Sequence, residues 1–359
     1  MNTTTILSRQ NAEQYLKDTS SCNLSDFTGI DDDAAEILAK FDGHLWLWIT
    51  SLSDAAAEAL SKHQGSLAFT NLSDLTDSVA LALSQHQGAL SLDGISSLSD
   101  TAAEALSKHQ GPLSLPSLSD LSHAAAEALS RHQGSLSLPS LSDLTDSVAL
   151  SLSQHQGALS LDGLSHLADT QGHIALVEKL ANQEGRIDLD GISSLSDAAA
   201  EAFSNHLGEL SLGGISSLSD TIANALSNHK GELFLPSITS LTDTPGHIAL
   251  TNKLANQEGA LSLDCIANLG DLAAEALSHH QGELSLGELT CLSETPGHLA
   301  LAKKLASQEG VLSLDGITSL GDLAAEALSK FQGEYLSLLG LVPSNTPGHI
   351  ALAGRLEMD

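Results

Sequence analysis

The sequence predicts an α/β solenoid assembled from short repeats, each a strand, a turn and a helix. Three observations predict it. A Leu-x-Leu pair returns at a spacing of mostly 23 residues, and further apolar residues follow it at positions 5, 8, 12, 13 and 16, counting the first Leu as zero. An Asp precedes the helical run in ten repeats, as at Asp32, Asp77, Asp100, Asp146, Asp169, Asp197, Asp220, Asp243, Asp271 and Asp322, and a Gly closes it. The copy containing Leu90, Leu92, Ile95, Leu98, Asp100, Ala102, Ala103, Leu106, His109 and Gly111 shows the whole pattern. A chain of 359 residues ordinarily suggests two or three domains, but a repeat this regular overrides a length prior.

Taken in order, residues 1–21 lie outside the repeat and are expected to cap the stack, with a helical turn over Ala12–Lys17. Fourteen repeats follow, beginning at Cys22, Leu45, Leu67, Leu90, Leu113, Leu136, Leu159, Ile187, Leu210, Leu233, Leu261, Leu284, Leu312 and Leu336. About thirteen of them form the body of the solenoid over 22–335, and 336–359 holds the final repeat and a C-terminal cap with a helix at Pro347–Leu356. Positions 0 and 2 have the period of a strand with one buried face, and positions 12, 13 and 16 that of a helix. The Asp at position 10 is expected to cap the helix through its carboxylate, and the closing Gly to supply a left-handed residue. No single repeat can bury its apolar face, so neighbours must stack in parallel register.

This order of residues resembles the leucine-rich-repeat family, most closely its cysteine-containing class. The segment Leu90-Ser91-Leu92-Asp93-Gly94-Ile95-Ser96-Ser97-Leu98-Ser99-Asp100 follows that class, with Ile or Leu where the class has Cys. The resemblance implies a right-handed solenoid with a concave parallel β-sheet and convex helices. It implies no particular activity, because the family shares only the presentation of a binding face.

Composition narrows the function. With 45 acidic against 14 basic residues the formal charge is -31, which repels nucleic-acid phosphates and anionic headgroups and favours a cationic partner or none. Cys22, Cys265 and Cys291 are too few and too scattered for a disulfide framework. The stretch Met1–Asp18 lacks the apolar core of a signal peptide, and no run approaches the roughly 20 apolar residues that span a bilayer. The expectation is a soluble, cytoplasmic protein, although secretion without a cleaved signal leaves no mark in a sequence.

A histidine column at position 19 comprises His63, His86, His109, His132, His155, His206, His229 and His280. Phe41 and Phe331 occupy the same position, so it calls for a packed ring rather than a zinc ligand. No metal or cofactor is expected, and neither is an enzyme, because every Ser, His and Asp that could build a triad sits at a repeated structural position. Three longer repeats, at Leu159, Leu233 and Leu284, open their helices at Thr170-Gln171-Gly172-His173, Thr244-Pro245-Gly246-His247 and Thr295-Pro296-Gly297-His298, which reads as helix initiation. Their Lys179, Lys253 and Lys304, with Arg355, read as solvated cations.

Position 1 is nearly all serine, so the expected binding face is small and neutral. The exceptions are the candidate partner-binding residues: His44, Trp46 and Trp48 at the N-terminal end, then Asp188, Asp190 and Phe234. Tryptophan concentrates at binding hot spots. The expected function is therefore a non-enzymatic scaffold for protein–protein interaction, acidic and suited to a basic partner. A structural, self-associating solenoid with no dedicated ligand is the alternative.

Overall fold

The computed structural model describes residues 5–356. It forms two compact bodies, Met1–Gln183 and Glu184–Asp359. Both consist of the predicted α/β solenoid repeat, with parallel strands and one helix per repeat. In the N-terminal body the strands Leu45–Leu47, Leu67–Phe69, Leu90–Leu92, Leu113–Ser114, Leu136–Ser137 and Leu159–Ser160 make one parallel sheet, in sequence order. The register sets like on like: Leu45 faces Leu67, Leu67 faces Leu90, Leu90 faces Leu113. The leucines at positions 0 and 2 are buried, as are the paired helix alanines such as Ala102 and Ala103. Small alanines let each helix lie close to its strand.

The C-terminal body breaks its sheet. Ile187–Asp188, Leu210–Ser211 and Leu233–Phe234 pair in one group, Leu261–Ser262 pairs with Leu284–Ser285, and Val311–Ser313 pairs with Tyr335–Ser337. Each break follows a long repeat, and a glutamine explains it. The Gln257 side chain accepts from the Leu233 N–H at 2.8 Å and donates to the Leu233 carbonyl at 3.1 Å, taking the place of a strand partner. Gln308 does the same to Leu284. A second set of parallel pairs, Ser240–Leu241 with Asn268–Leu269 and Cys291–Leu292 with Ser319–Leu320, appears on the far side of the turn, where the sequence predicts none.

Four expectations need correction. At Cys22 the chain makes short 3-10 turns, Thr19–Ser21 and Leu24–Asp26, instead of a strand; the first parallel pair is Ile6–Leu7 with Gly29–Ile30. The helical turn expected at Ala12–Lys17 is a full helix, Arg9–Lys17, capped by Ser8.

Second, the Asp at position 10 does not cap its own helix. In most short repeats it is the first helical residue, and the Ser or Thr before it is the cap: the Ser99 hydroxyl accepts from the Ala102 N–H at 3.0 Å; Asp169 and Asp243 instead precede the caps Thr170 and Thr244. The Ser99 hydroxyl also donates to Asp77 of the preceding repeat at 2.6 Å, so the acid staples neighbouring helix ends together. Where the cap is Gly270 or Gly321, the preceding repeat supplies the acceptor. Asp243 takes the N–H groups of Asp271, Leu272 and Ala273, and Glu294 takes that of Asp322.

Third, Gly65, Gly88 and Gly111 are not left-handed; among the described residues only Gly185, Gly259 and Gly310 have positive φ, in the loops after long helices. A side chain at Gly88 is excluded instead by the Gly65 carbonyl oxygen, 2.2 Å from where a Cβ would lie. The glycines permit close stacking of backbone on backbone.

Fourth, the Thr-Pro-Gly-His openings do more than start helices. The Gly246 N–H donates to Asp220 at 2.6 Å. His247 Nε2 meets the Leu218 carbonyl at 3.1 Å while its Nδ1 accepts from the Thr242 N–H at 3.0 Å, which fixes the Nε2–H tautomer. The basic residues are not solvated either. Lys179, Lys253 and Lys304 donate to the carbonyls of Gly157, Gly231 and Gly282, and Arg355 donates to those of Phe331 and Gly333. Burial pushes the three lysines down from the usual ammonium range, and each satisfies a carbonyl that stacking has removed from water.

Two glycine substitutions should separate these causes. A Cβ at position 246 would lie 2.0 Å from the Asp220 carbonyl oxygen, so Gly246→Ala should cost about 1 to 3 kcal/mol by overpacking. Gly259 has φ +83 and nothing within 4 Å, so Gly259→Ala should cost about 1 to 2 kcal/mol from backbone strain alone. Urea denaturation midpoints measure both.

Candidate interaction surface

The side chains at position 1 project from the strands away from the core, and most are serine hydroxyls. In the N-terminal body the strand Leu45–Leu47 breaks that pattern. Trp46 stands 58% exposed between buried Leu45 and Leu47. The His44 ring lies 6.2 Å from it, anchored by a 2.6 Å hydrogen bond between Nδ1 and the Ser66 hydroxyl. Trp48 is half-buried, and its carbonyl accepts from Asn71. The structure thus brings the three predicted residues His44, Trp46 and Trp48 to one patch. Two clefts adjoin it. One, of about 340 Å³, lies between the two tryptophans and Tyr15, Cys22 and Leu24 of the N-terminal segment. The other, of about 360 Å³, runs from His44 and Trp46 along Ala68, Ser91 and Ser114, where small side chains leave the sheet surface open.

The other three predicted residues gather in the C-terminal body, around a residue that sequence reasoning missed. Arg186 pairs with Asp188 at 3.0 Å, and its guanidinium sits 5.8 Å from the centre of the Phe234 ring. Asp190 accepts from the Ser211 hydroxyl and the Gly213 N–H, both at 2.6 Å. Asp188 and Asp190 are therefore committed to internal contacts, and Phe234, 38% exposed, is partly roofed by Arg186. The available signal was Arg186 itself, a lone cation directly before Ile187-Asp188-Leu189-Asp190, where most repeats carry Leu-Ser-Leu.

Two of the other acids at position 3, Asp264 and Asp315, behave alike, whereas Asp93 and Asp162 accept from Ser91 and Ser160 of their own strands. Asp264 accepts from the Ser262 hydroxyl at 2.8 Å, from the Gly287 N–H at 3.1 Å and from the Ser285 hydroxyl. Burial opposes its charge, yet Ser285, Gly287 and Ser262 together hold its carboxyl below the usual range. Asp315 is held low by Ser337, the Leu339 N–H and Ser313. Such acids clip one strand to the next.

Asp264→Asn should thus lower stability at neutral pH by about 1 kcal/mol, the net worth of a hydrogen bond. The carboxylate's contribution is present above pH 4 or so and is lost as pH falls through its depressed folded value. The gap between variant and wild type should accordingly close in acid, as read from denaturation midpoints at pH 7 and pH 3.

Among the described residues no group of three or more His, Cys, Asp or Glu side chains is placed to hold a metal ion, and no helix is long and apolar enough to cross a membrane.

No protein-family model and no curated protein sequence matches the chain. Solved structures do. The Toll chain in the Toll–Spätzle complex of Drosophila superimposes with a TM-score of 0.52 at 14% identity, over 87% of this chain and 43% of that one. An internalin, InlF of Listeria monocytogenes, matches with a TM-score of 0.40 at 14% identity, over 96% of this chain and 92% of that one. This chain spans less than half the length of the Toll chain that it matches. These neighbours are leucine-rich-repeat proteins, and at such identity the Toll likeness establishes the fold alone: the chain has the α/β solenoid architecture of leucine-rich-repeat proteins.

Proposed function

We propose that the protein is a non-enzymatic scaffold that binds a protein partner on the strand side of its N-terminal body, with Trp46 as anchor and His44 and Trp48 beside it. The exposed Trp46 between two clefts carries this reading. A large rigid ring held by buried neighbours binds with little loss of conformational freedom. The serine-lined surface beyond it admits a chain without steric conflict. A net charge of -31 favours a basic partner, since opposite charge accelerates encounter. The Toll chain forms a complex with Spätzle, so a solenoid of this architecture can serve as a binding partner, which is consistent with the proposal. Asp188, Asp190 and Phe234 are assigned a secondary part, because Arg186 already engages Asp188 and Phe234 and Asp190 is taken by Ser211 and Gly213.

Self-association is the second reading, favoured by one observation: in the final repeat Leu339 is 83% exposed and Val342 86%. Exposed leucine and valine in one short segment suit an apolar contact with another copy.

Affinity capture from lysate at low and at high salt, with wild type and Trp46→Ala/Trp48→Ala in parallel, tests the first reading. Partners should be retained by wild type at low salt and lost at high salt. They should weaken at least tenfold, about 1.4 kcal/mol, in the double variant. Retention by a variant with unchanged circular dichroism sinks the anchor assignment, and a chain that instead assembles more tightly at high salt, by sedimentation, supports self-association.

A further inference from the structure

In the N-terminal body five histidine rings form an unbroken stack. His63, His86, His109, His132 and His155 follow one another at centroid distances of 6.2, 6.1, 5.9 and 6.0 Å, with adjacent ring planes within 7° of parallel. All five are 1% exposed or less. Neither ring nitrogen of His86, His109, His132 or His155 closes a hydrogen bond of good geometry. Packing asks only for a planar ring here, and phenyl rings fill the position at Phe41 and Phe331. Five titratable rings in a buried column are more than packing requires.

We propose that this column is an acid-triggered conformational switch, in which protonation of the stacked imidazoles opens the repeats that they join. A proton arriving on one ring is buried with it, and its neighbours at about 6 Å are rings that must then carry like charge. Of the groups acting on the rings, the backbone groups favour the proton but are outweighed by burial, and the other imidazoles and Lys179 oppose it. The backbone groups include those of Ser61, Gly65 and Ala89 beside His86, and Lys179, a further cation, acts on His155. Burial, the largest influence, pushes His86, His109, His132 and His155 down from the ordinary imidazole value, and His109 reaches about 4.

The sign follows from linkage. An unfolded imidazole near pKa 6.5 binds a proton more readily than the buried one. Stability from the neutral column is therefore present above about pH 6.5 and is lost as pH falls from there toward the folded values. For His109 alone the gap from 6.5 to about 4 raises the opening constant roughly twentyfold between pH 7 and pH 5, and a hundredfold or more only below about pH 4. Carboxylates held low, such as Asp146 and Asp264, act only at lower pH, so the two windows are distinct.

Hydrogen exchange on the full chain, read by mass spectrometry and corrected for intrinsic pH dependence, tests the switch. Between pH 7 and pH 5 the helices Asp77–Leu83, Asp100–Leu106 and Asp146–Ser153 should lose protection by at least about a hundredfold. The variant His86→Phe/His109→Phe/His132→Phe, which leaves His173 in place, should remove most of that loss. Should the triple variant fail to fold at pH 8, His109→Phe alone should reduce it roughly tenfold. Unchanged protection in wild type between pH 7 and pH 5 overturns the proposal, as does a variant that loses protection to the same extent as wild type.

Discussion

The rest of the structure depends on one constraint: a repeat of about two dozen residues cannot bury its own apolar face, so each must lie against the next in a fixed register. The parallel pairing of Leu45 with Leu67 and Leu67 with Leu90 places identical side chains one strand apart and closes a continuous core. Everything at the repeat boundary follows from that closeness. Glycine is required where one turn's carbonyl reaches within 2.2 Å of a Cβ position on the next, and alanine where the helix meets the strand.

Close stacking also removes backbone polar groups from water, and they must then be paired. The protein pairs them across repeats with side chains. Asp77 and Asp100 hold the hydroxyls of the following caps, Asp243 and Glu294 cap helices whose own cap is glycine, and Lys179, Lys253 and Lys304 reach back to the preceding glycine carbonyls. Long repeats use the fullest set of these clips, since their extra helical turn reaches past the neighbour. The same long repeats interrupt the sheet, because Gln257 and Gln308 bind the strand edge in place of backbone.

What is left for function is what this pairing does not consume. Asp190, Asp264 and Asp315 bind groups of adjacent repeats, Arg186 holds Asp188, and the position-1 serines are small. Trp46 has no such internal obligation, and its exposure is the clearest departure from the repeat's own needs. The histidine stack is the other departure, with ring nitrogens buried where a phenyl group has none.

Repeat length, the leucine core, the helices and the main strands from Leu45 onward were legible in the sequence, because periodicity reports which face of each element is buried; the missing strand at Cys22 and the second set of strand pairs were not. Nor were the partners of polar side chains. Asp at position 10 looked like a cap for its own helix, Lys179 like a solvated cation and Gly88 like a left-handed residue; each instead answers a group in the neighbouring repeat. Arg186 escaped notice for the same reason, since its partners Asp188, Glu209 and Phe234 come together only across strands. A linear pattern specifies burial one residue at a time. Which carbonyl lies 3 Å from which donor depends on the distance between stacked backbones, and only the tertiary structure decides that.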